Sequence, residues 1–241
     1  MKRLGIISGT VPLEEAVISR FVERAAENEF GSARLLVSDA AVFIHRHGSG
    51  AGKHILPHLV NHAANLKALK DLGVEEVYAV NSTGSLKRRL KPGTLIVPDD
   101  FILLERGPTT ITTKATHIIP RLNEAVRGAW LAAARRAGVE IVNGGIYWQT
   151  AGPRLETRAE VGLISQFADL VGMTMASEAI VAQELGLAYA SLCSVDNFAH
   201  GLEDKELTME KILWHARRNA EAVAAIIKTL LETKTAHWRQ G

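Results

Sequence analysis

Short apolar runs alternate with helical patterns along the whole chain. Runs typical of β-strands lie at Leu4 to Ile7, Arg34 to Ser38, Ala41 to Ile44, Val77 to Val80, Thr94 to Val97, Glu140 to Trp148, Leu170 to Met173 and Ala188 to Val195. Apolar residues spaced three and four apart predict helices from Leu59 to Gly73, Leu122 to Gly138, about Arg158 to Phe167, Ser177 to Leu185 and Met209 to Leu230. This alternation predicts an α/β fold with a mixed or largely parallel central sheet flanked by helices. Because no repeat or Pro/Ser linker interrupts the pattern, we expect a single domain over residues 1–241.

Composition and charge exclude several classes of protein. The chain has 241 residues, of which 47% are hydrophobic and 22% charged, and its formal net charge is only +2. Scattered basic residues give no electrostatic footprint for nucleic acid, and no apolar run is long enough to cross a membrane. The four-residue apolar run after Lys2 and Arg3 is too short for a signal peptide. Since Cys193 is the only cysteine, no internal disulfide forms, and we expect a cytoplasmic protein.

Small and polar residues follow several of the predicted strands, where ligands of open α/β sheets bind. These segments are Ser8 to Thr10, His45 to Gly48, Asn81 to Leu86, Gly152 to Thr157, Met173 to Thr174 and Asp196 to Asn197. Backbone amides, hydroxyl groups and one guanidinium suit a bound anion. Each segment alone also fits a polar turn or a helix cap. Neither the dinucleotide-binding glycine pattern nor the phosphate-binding loop of nucleotide hydrolases is present.

Two other kinds of site fit the sequence poorly. His54, His58 and His62 have helical spacing, but Pro57 is expected to open that helix, which leaves His54 outside it. No Cys, Asp or Glu stands nearby to complete a zinc site, so we expect no metal. A serine nucleophile is equally unsupported because the chain lacks G-x-S-x-G.

Taken together, these segments resemble the trimeric purine nucleoside phosphorylases and the related methylthioadenosine phosphorylases, in order from about residue 4 to 231. The matching blocks are Ser8 to Thr10, Arg46 to Gly48, the spaced residues from Pro57 to Leu69, Gly84 to Leu86 with Pro92 and Gly93, Gly152 to Thr157, Gly172 to Thr174, and Glu178 with Ala179. The resemblance implies the nucleoside phosphorylase fold and a homotrimer. It also implies a reaction without cofactor, in which a nucleoside and inorganic phosphate give a free purine and ribose 1-phosphate.

Matched positions imply roles for individual residues. Phosphate binding falls to Thr10, Arg46, His47, Ser82 and Thr174. Met173 would line the ribose and Asn81 would border base and sugar. Glu156 and Asn197 would bind the base and act as the catalytic pair, Glu156 accepting a proton borne by the six-membered ring and Asn197 donating to the five-membered ring. Glu and Asn are typical of the 6-oxopurine branch, which predicts inosine, guanosine or 5′-methylthioinosine as substrate.

The sugar's 5′ end is where the chain departs from that branch. Where the 6-oxopurine branch has a histidine that binds the 5′-hydroxyl, this chain has Met209. Ile212 and Leu213 share the helix face of Met209 at i, i+3 and i+4 spacing. We therefore expect an apolar 5′ pocket, unless these residues only anchor the helix to the core. Two alternatives remain: a methylthioadenosine phosphorylase with a divergent base pocket, and a non-catalytic protein of the same fold that binds purine or phosphate.

Overall fold

The computed structural model describes residues 3–9, 21–48, 54–113, 116–203 and 208–238. Its strands are β1 (Arg3–Ser8), β2 (Val22–Asn28), β3 (Gly31–Val37), β4 (Ala41–His45), β5 (Val74–Ser85), β6 (Leu95–Val97), β7 (Asp100–Ile102), β8 (Val142–Asn143), β9 (Ile146–Gln149), β10 (Leu170–Gly172) and β11 (Ala188–Phe198). Its α-helices are α1 (His62–Asp71), α2 (Glu124–Arg136), α3 (Arg158–Ile164), α4 (Met175–Glu184) and α5 (Met209–Trp238). A short 3₁₀ helix, Pro57–Leu59, precedes α1.

Within these ranges all the strands form one mixed sheet, which confirms the predicted fold class. One path through it runs β2-β3-β4-β1-β5-β10-β9-β7, and β11 pairs with the other side of β5. The central strands β4, β1, β5 and β11 are parallel, so their carboxyl ends meet at one edge. Strand β10 runs antiparallel to the end of β5. This edge is where polar residues from different parts of the chain converge.

Helices cover both faces of the sheet. Leu66 and Leu69 of α1 pack with Met175 and Val181 of α4 in one buried cluster. The opposite cluster contains Val126 and Trp130 of α2 and Val223 and Ile227 of α5. Covered on both faces, the central strands are almost continuously apolar, which is why they were easy to predict. No helix in the described part of the chain is long and apolar enough to cross a membrane.

Several predicted boundaries were wrong for local reasons. The predicted strand from Glu140 to Trp148 is divided into β8 and β9, because Gly144 and Gly145 adopt positive φ angles of 96° and 129° that end a strand. Helix α1 begins at His62 rather than near Leu59, with Asn61 as its N-cap, and α4 begins at Met175 rather than Ser177.

Other elements were not predicted. Among the described residues, strand β2 pairs with β3 alone and is mostly exposed, so its sequence lacks an apolar pattern. Strand β7 is only three residues long. The predicted loop after Val80 is instead a continuation of β5 to Ser85, because β11 pairs with it throughout. The predicted capping box of Thr157 and Glu160 at the start of α3 is confirmed.

Candidate active site

A cavity of about 260 Å³ opens at the edge where the central strands end. All but two of the predicted site residues line it, namely Arg46, His47, Asn81, Ser82, Glu156, Met173, Thr174, Asn197, Met209 and Ile212. Thr10 lies outside the described residues. Leu213 does not line the cavity and is 38% exposed, so the predicted helix face contributes Met209 and Ile212 only. The structure therefore brings together residues that the sequence separates by more than a hundred positions.

Arg46 follows β4 and is held by a buried carboxylate from α4. Its Nε lies 2.6 Å from Glu178 Oε1, its Nη2 3.1 Å from Oε2, and its Nη1 donates to the Val80 carbonyl at 2.8 Å. Burial alone would lower the pKa of Arg46, but the Glu178 carboxylate raises it above the ordinary value, so the guanidinium stays charged. A guanidinium carries five N–H donors and these contacts use three, so donors remain for an anion in the cavity.

Two further buried groups surround the Glu178 carboxylate. The Tyr189 hydroxyl donates to Glu178 Oε2 at 2.8 Å. His62, the first residue of α1, places Nδ1 3.9 Å from Glu178 Oε1. Burial lowers the pKa of His62 to about 4, although Glu178 opposes that shift, so the imidazole is neutral near pH 7. Arg46 and Glu178 therefore form a buried ion pair on this side of the cavity. Because Glu178 holds the guanidinium in place, a bound anion would meet a donor in a fixed position.

Strand register places a hydroxyl beside an amide in the same cavity. Strand β10 pairs Val171 with Gly84 in antiparallel register, so continuing the chain brings Thr174 alongside Asn81. Asn81 Nδ2 donates to Thr174 Oγ1 at 2.9 Å, and its Oδ1 accepts from Ser191 at 2.6 Å. Both side-chain positions are thus fixed by the sheet, which explains why Asn81 and Thr174 belong to one site.

His47 is neutral and oriented by the backbone. Its Nδ1 lies 2.8 Å from the Ile55 carbonyl, so Nδ1 carries the proton and Nε2 is an acceptor. Burial and the neighbouring Arg46 charge lower the pKa of His47 to about 4. His54 stacks on this ring with 5.1 Å between centroids and also lines the cavity. A neutral imidazole in this place presents an acceptor to a protonated ligand oxygen.

Glu156 lies between β9 and α3 and is buried. The Thr150 hydroxyl donates to Glu156 Oε1 at 2.7 Å, and His200 Nδ1 lies 3.3 Å from the Glu156 carbonyl oxygen. The capping box that begins α3 fixes the backbone that follows directly after Glu156. Since a carboxylate oxygen can accept more than one hydrogen bond, Oε2 and part of Oε1 remain for a ligand N–H.

Asn197 occupies the end of β11 opposite a glycine. Its Nδ2 donates to the Phe198 carbonyl at 2.9 Å. The register pairs Asn197 with Gly84, and a Cβ on that glycine would lie only 3.0 Å from Asn197 Nδ2. Gly84 is therefore the residue that leaves room for the Asn197 side chain.

The remaining wall of the cavity is apolar. Met209 and Ile212 come from the first turn of α5, and Leu56, Pro57 and Leu155 line the same cavity. Met209 is 60% exposed and Ile212 only 6%, so the wall is open to solvent at Met209. Among the residues that the structure describes, no group of three or more His, Cys, Asp or Glu side chains is arranged to hold a metal ion.

Known proteins match this chain over nearly its whole length. Residues 3–232 match the model of the phosphorylase superfamily. The chain belongs to this superfamily. The predicted resemblance to the nucleoside phosphorylases is thereby confirmed.

Among phosphorylase superfamily relatives, the chain is 39% identical over 231 residues to a probable 6-oxopurine nucleoside phosphorylase from Archaeoglobus fulgidus, covering 93% of this chain and 94% of that protein. It is 31% identical to a probable S-methyl-5′-thioinosine phosphorylase from Methanocaldococcus jannaschii, covering 95% and 91% of the two chains. A crystal structure of methylthioadenosine phosphorylase from Schistosoma mansoni in complex with adenine superposes with a TM-score of 0.87 at 27% identity, covering 98% of this chain and 93% of that one.

Within this member of the superfamily, sequence reasoning missed several residues near the cavity. The sequence pattern suggests only a metal-ligand role for His54, and it indicates no role in the site for Thr150 or Glu178. The contact between Thr150 and Glu156 spans six residues across an irregular segment, and that between Glu178 and Arg46 spans 132 residues. A buried carboxylate within an apolar helix was the available signal for Glu178, because such a group needs a charged partner.

Proposed function

We propose that this protein catalyses the phosphorolysis of 6-oxopurine nucleosides, a purine salvage reaction, giving a free purine and ribose 1-phosphate or its 5-methylthio analogue. One observation carries the proposal: a carboxylate and an amide, Glu156 and Asn197, share a single cavity with the anion-suited residues Arg46 and Thr174. The named activities of the two sequence relatives support the same reading.

In this reaction an oxygen of phosphate attacks the anomeric carbon of the sugar. The bond from that carbon to the purine nitrogen breaks, and its electron pair leaves with the base. The sugar becomes cationic and the base anionic in the transition state, so donors that strengthen their hydrogen bonds to either group lower the barrier. Arg46 and Thr174 would hold the phosphate against the sugar. Asn197 would donate to the five-membered ring as charge accumulates there.

The base preference follows from the acceptor character of Glu156. An ionised carboxylate pairs with the ring N–H of hypoxanthine or guanine, whereas neutral adenine presents a lone pair at that position. An unpaired buried acceptor costs about 1–3 kcal/mol, which corresponds to roughly 5- to 150-fold in relative rate. We therefore expect inosine and guanosine to be cleaved far better than adenosine.

The 5′ substituent would meet the apolar wall formed by Met209, Ile212 and Leu56. A methylthio group would gain roughly 0.8 kcal/mol for each methylene-sized unit that it buries, whereas a hydroxyl group would lose water partners. We expect 5′-methylthioinosine to be cleaved at least as well as inosine. Farther along α5, Val223 and Ile227 belong to the buried cluster that packs this helix against the sheet.

The second candidate is a methylthioadenosine phosphorylase, which the likeness to the Schistosoma mansoni enzyme favours. Glu156 argues against it for the reason just given. A non-catalytic protein that binds only the base would have no use for Arg46, Asn81 and Thr174 in the same cavity. We also propose that inorganic phosphate is the only co-substrate and that no metal or organic cofactor is needed.

We further propose a homotrimer in the cytoplasm. The trimer rests on the resemblance to trimeric phosphorylases, and the low net charge of +2 sets little self-repulsion against association. The cytoplasm suits a chain whose single cysteine, Cys193, is free and buried. Light scattering at working concentration tests the assembly, and a monomer mass would contradict it.

A nucleoside panel tests the reaction. Inosine, guanosine, adenosine, 5′-methylthioinosine and 5′-methylthioadenosine are incubated with and without phosphate, and release of free base is followed. We expect base release to require phosphate, to favour the 6-oxopurines and to survive dialysis against a chelator. Equal cleavage of adenosine and inosine would show that Glu156 and Asn197 are misassigned, and phosphate-independent release would indicate hydrolysis instead.

A further inference from the structure

Strand β11 contains an irregularity next to the residue assigned to the purine. Val195 pairs with Thr83 and Asn197 pairs with Gly84, so Asp196 is an extra residue between two successive ladder positions. Such a bulge re-aims side chains and is common beside active sites. It places Asn197 on the cavity, while Asp196 is completely buried.

The Asp196 carboxyl group is held from its own strand and from α5. Ser194 donates its hydroxyl hydrogen to Asp196 Oδ1, and Asn219 Nδ2 donates to the same oxygen at 3.0 Å. Asn219 Nδ2 also lies 2.6 Å from Ser194 Oγ, so the three side chains form a closed set. In the described part of the chain, Asp196 Oδ2 has no hydrogen-bond partner.

A further polar side chain, Ser82 of β5, lies near this carboxyl group. It lowers the pKa of Asp196, as Ser194 and Asn219 also do. Burial outweighs all three and raises the pKa of Asp196 to about 6. Ser82 itself lines the cavity beside Asn81. Asp196 thus lies near one residue assigned to phosphate and directly precedes one assigned to the base.

The same carboxyl group ties the long helix to the sheet. Asn219 lies ten residues after Met209 on α5, or roughly 15 Å along the helix axis. Since Met209 and Ile212 begin this helix over the cavity, its attachment at Asp196 sets where they lie relative to Asn197. A buried carboxylate is costly, and hydrophobic packing alone could have attached the helix.

We propose that Asp196 is a positioning residue for the reaction, fixing the bulge of β11 so that Asn197 is held toward the purine, through contacts that also anchor α5. The inference rests on the proposed function. The ionised carboxylate is the effective form, because it accepts stronger hydrogen bonds from Ser194 and Asn219 than the neutral acid does. Protonation on Oδ2 weakens both contacts together.

Other ionisable groups border the space beside Asp196. They line a neighbouring cavity of about 670 Å³ that Asp196 also borders, and they are Arg88, Lys91, His200, Glu203, Lys211 and His215. Phosphate itself also titrates in the neutral range. A pH profile of the wild type alone would combine the titration of all these groups. The informative quantity is therefore the ratio of kcat/KM between the wild type and a variant, measured under identical conditions.

The test compares the wild type with Asp196→Asn, which keeps the shape and removes the titration. We expect kcat/KM for inosine to fall about tenfold or more at about pH 8, the loss typical of one hydrogen bond to a charged group. The wild-type to variant ratio should shrink severalfold between about pH 8 and about pH 5, as Asp196 becomes protonated in the wild type. The matched control is Asp99→Asn, an exposed carboxylate that accepts a hydrogen bond from the Gly145 backbone outside the cavity. The ratio of wild-type to Asp99→Asn kcat/KM should stay near one at every pH.

A second variant keeps the proposal testable if Asp196→Asn does not fold. Ser194→Ala removes one donor that lowers the pKa of Asp196, so the pH at which its kcat/KM for inosine falls to half should be higher than in the wild type. A wild-type to Asp196→Asn ratio that is independent of pH, a fully active Asp196→Asn enzyme, or an unmoved midpoint in Ser194→Ala overturns the positioning role and leaves the proposed function intact. A wild type that cleaves no purine nucleoside overturns the proposed function, and the role of Asp196 in it.

Discussion

The two sides of the cavity are built differently. On the side assigned to phosphate, Arg46 is 2% exposed and bound to Glu178, and Asn81 and Thr174 are fixed by strand register. On the side assigned to the sugar's 5′ end, Met209 is 60% exposed, and Leu56 and Leu155 are each 39% exposed. The first side is organised before a ligand arrives, whereas the second presents apolar surface that a ligand can cover at Met209, Leu56 and Leu155, although Ile212 is only 6% exposed.

This difference reflects what each side must do. A charged guanidinium in a buried place needs a fixed partner, since its desolvation is costly. Apolar side chains need none and gain free energy when a ligand covers them. Substitutions on the phosphate side should therefore affect the stability of the fold, whereas those on the 5′ side should affect mainly the choice of substrate.

The largest effect should follow from removing the partner of Arg46. Glu178→Ala leaves a buried guanidinium uncompensated, and we expect the free energy of unfolding to fall by about 3–5 kcal/mol. Denaturant titration measures it. The control Glu124→Ala removes a carboxylate that is 76% exposed, and the buried Arg127 keeps its hydrogen bonds to the Pro98 carbonyl and Asn143 Oδ1, so the loss should be at most about 1 kcal/mol. Equal losses in the two variants would refute the contrast between the sides.

The pH dependence of the free energy of unfolding should show the effect of His62, whose imidazole lies next to Glu178. The pKa of His62 is about 4 in the folded protein and about 6.5 when unfolded. As pH falls below about 6.5 the unfolded chain gains a proton that the folded chain does not, so stability falls until about pH 4. His62 should account for up to about 3 kcal/mol of that loss. His62→Gln should remove it, whereas His58→Gln, which alters an exposed side chain, should leave the slope unchanged.

A smaller effect should come from the residue that leaves room for Asn197. In Gly84→Ala the new methyl group would lie 3.0 Å from Asn197 Nδ2, and we expect kcat/KM for inosine to fall about tenfold, or about 1.4 kcal/mol. KM for phosphate should change little. Gly128→Ala in the exposed face of α2 is the control, because its methyl group meets nothing within 4 Å and should stabilise the protein by about 0.5–1 kcal/mol. Unaltered kinetics in Gly84→Ala would remove Asn197 from the base site.

The smallest effect should be on substrate preference at the open 5′ wall. Met209→His offers a donor to the 5′-hydroxyl, and we expect the preference for inosine over 5′-methylthioinosine to rise about two- to tenfold, the range for one hydrogen bond. Met209→Leu keeps the apolar surface and should leave the preference nearly unchanged. The free energy of unfolding should differ little among these proteins. A preference that does not move would indicate that α5 lies away from the 5′ end.

Local pattern predicted the parts of the fold whose causes are local. The buried strands β1, β4 and β11 were predicted because an apolar run of strand length, flanked by glycines and polar residues, indicates a buried strand. The start of α3 was found because its capping box is complete within four residues. The edge strand β2 was not predicted, since an exposed strand that pairs on one side needs no apolar pattern.

The sequence by itself determined the α/β class, the central strands and the types of side chain that stand at their ends. The resemblance carried by those side chains assigned twelve residues to the site, and all of them except Thr10 and Leu213 line the cavity. Only the tertiary structure decided that Glu178 pairs with Arg46, that Thr150 meets Glu156, and that Leu213 lies off the cavity. The first depends on a contact between distant segments, the second on the path of an irregular segment, and the third on the rotation of one helix, and none of these is specified by a local sequence pattern.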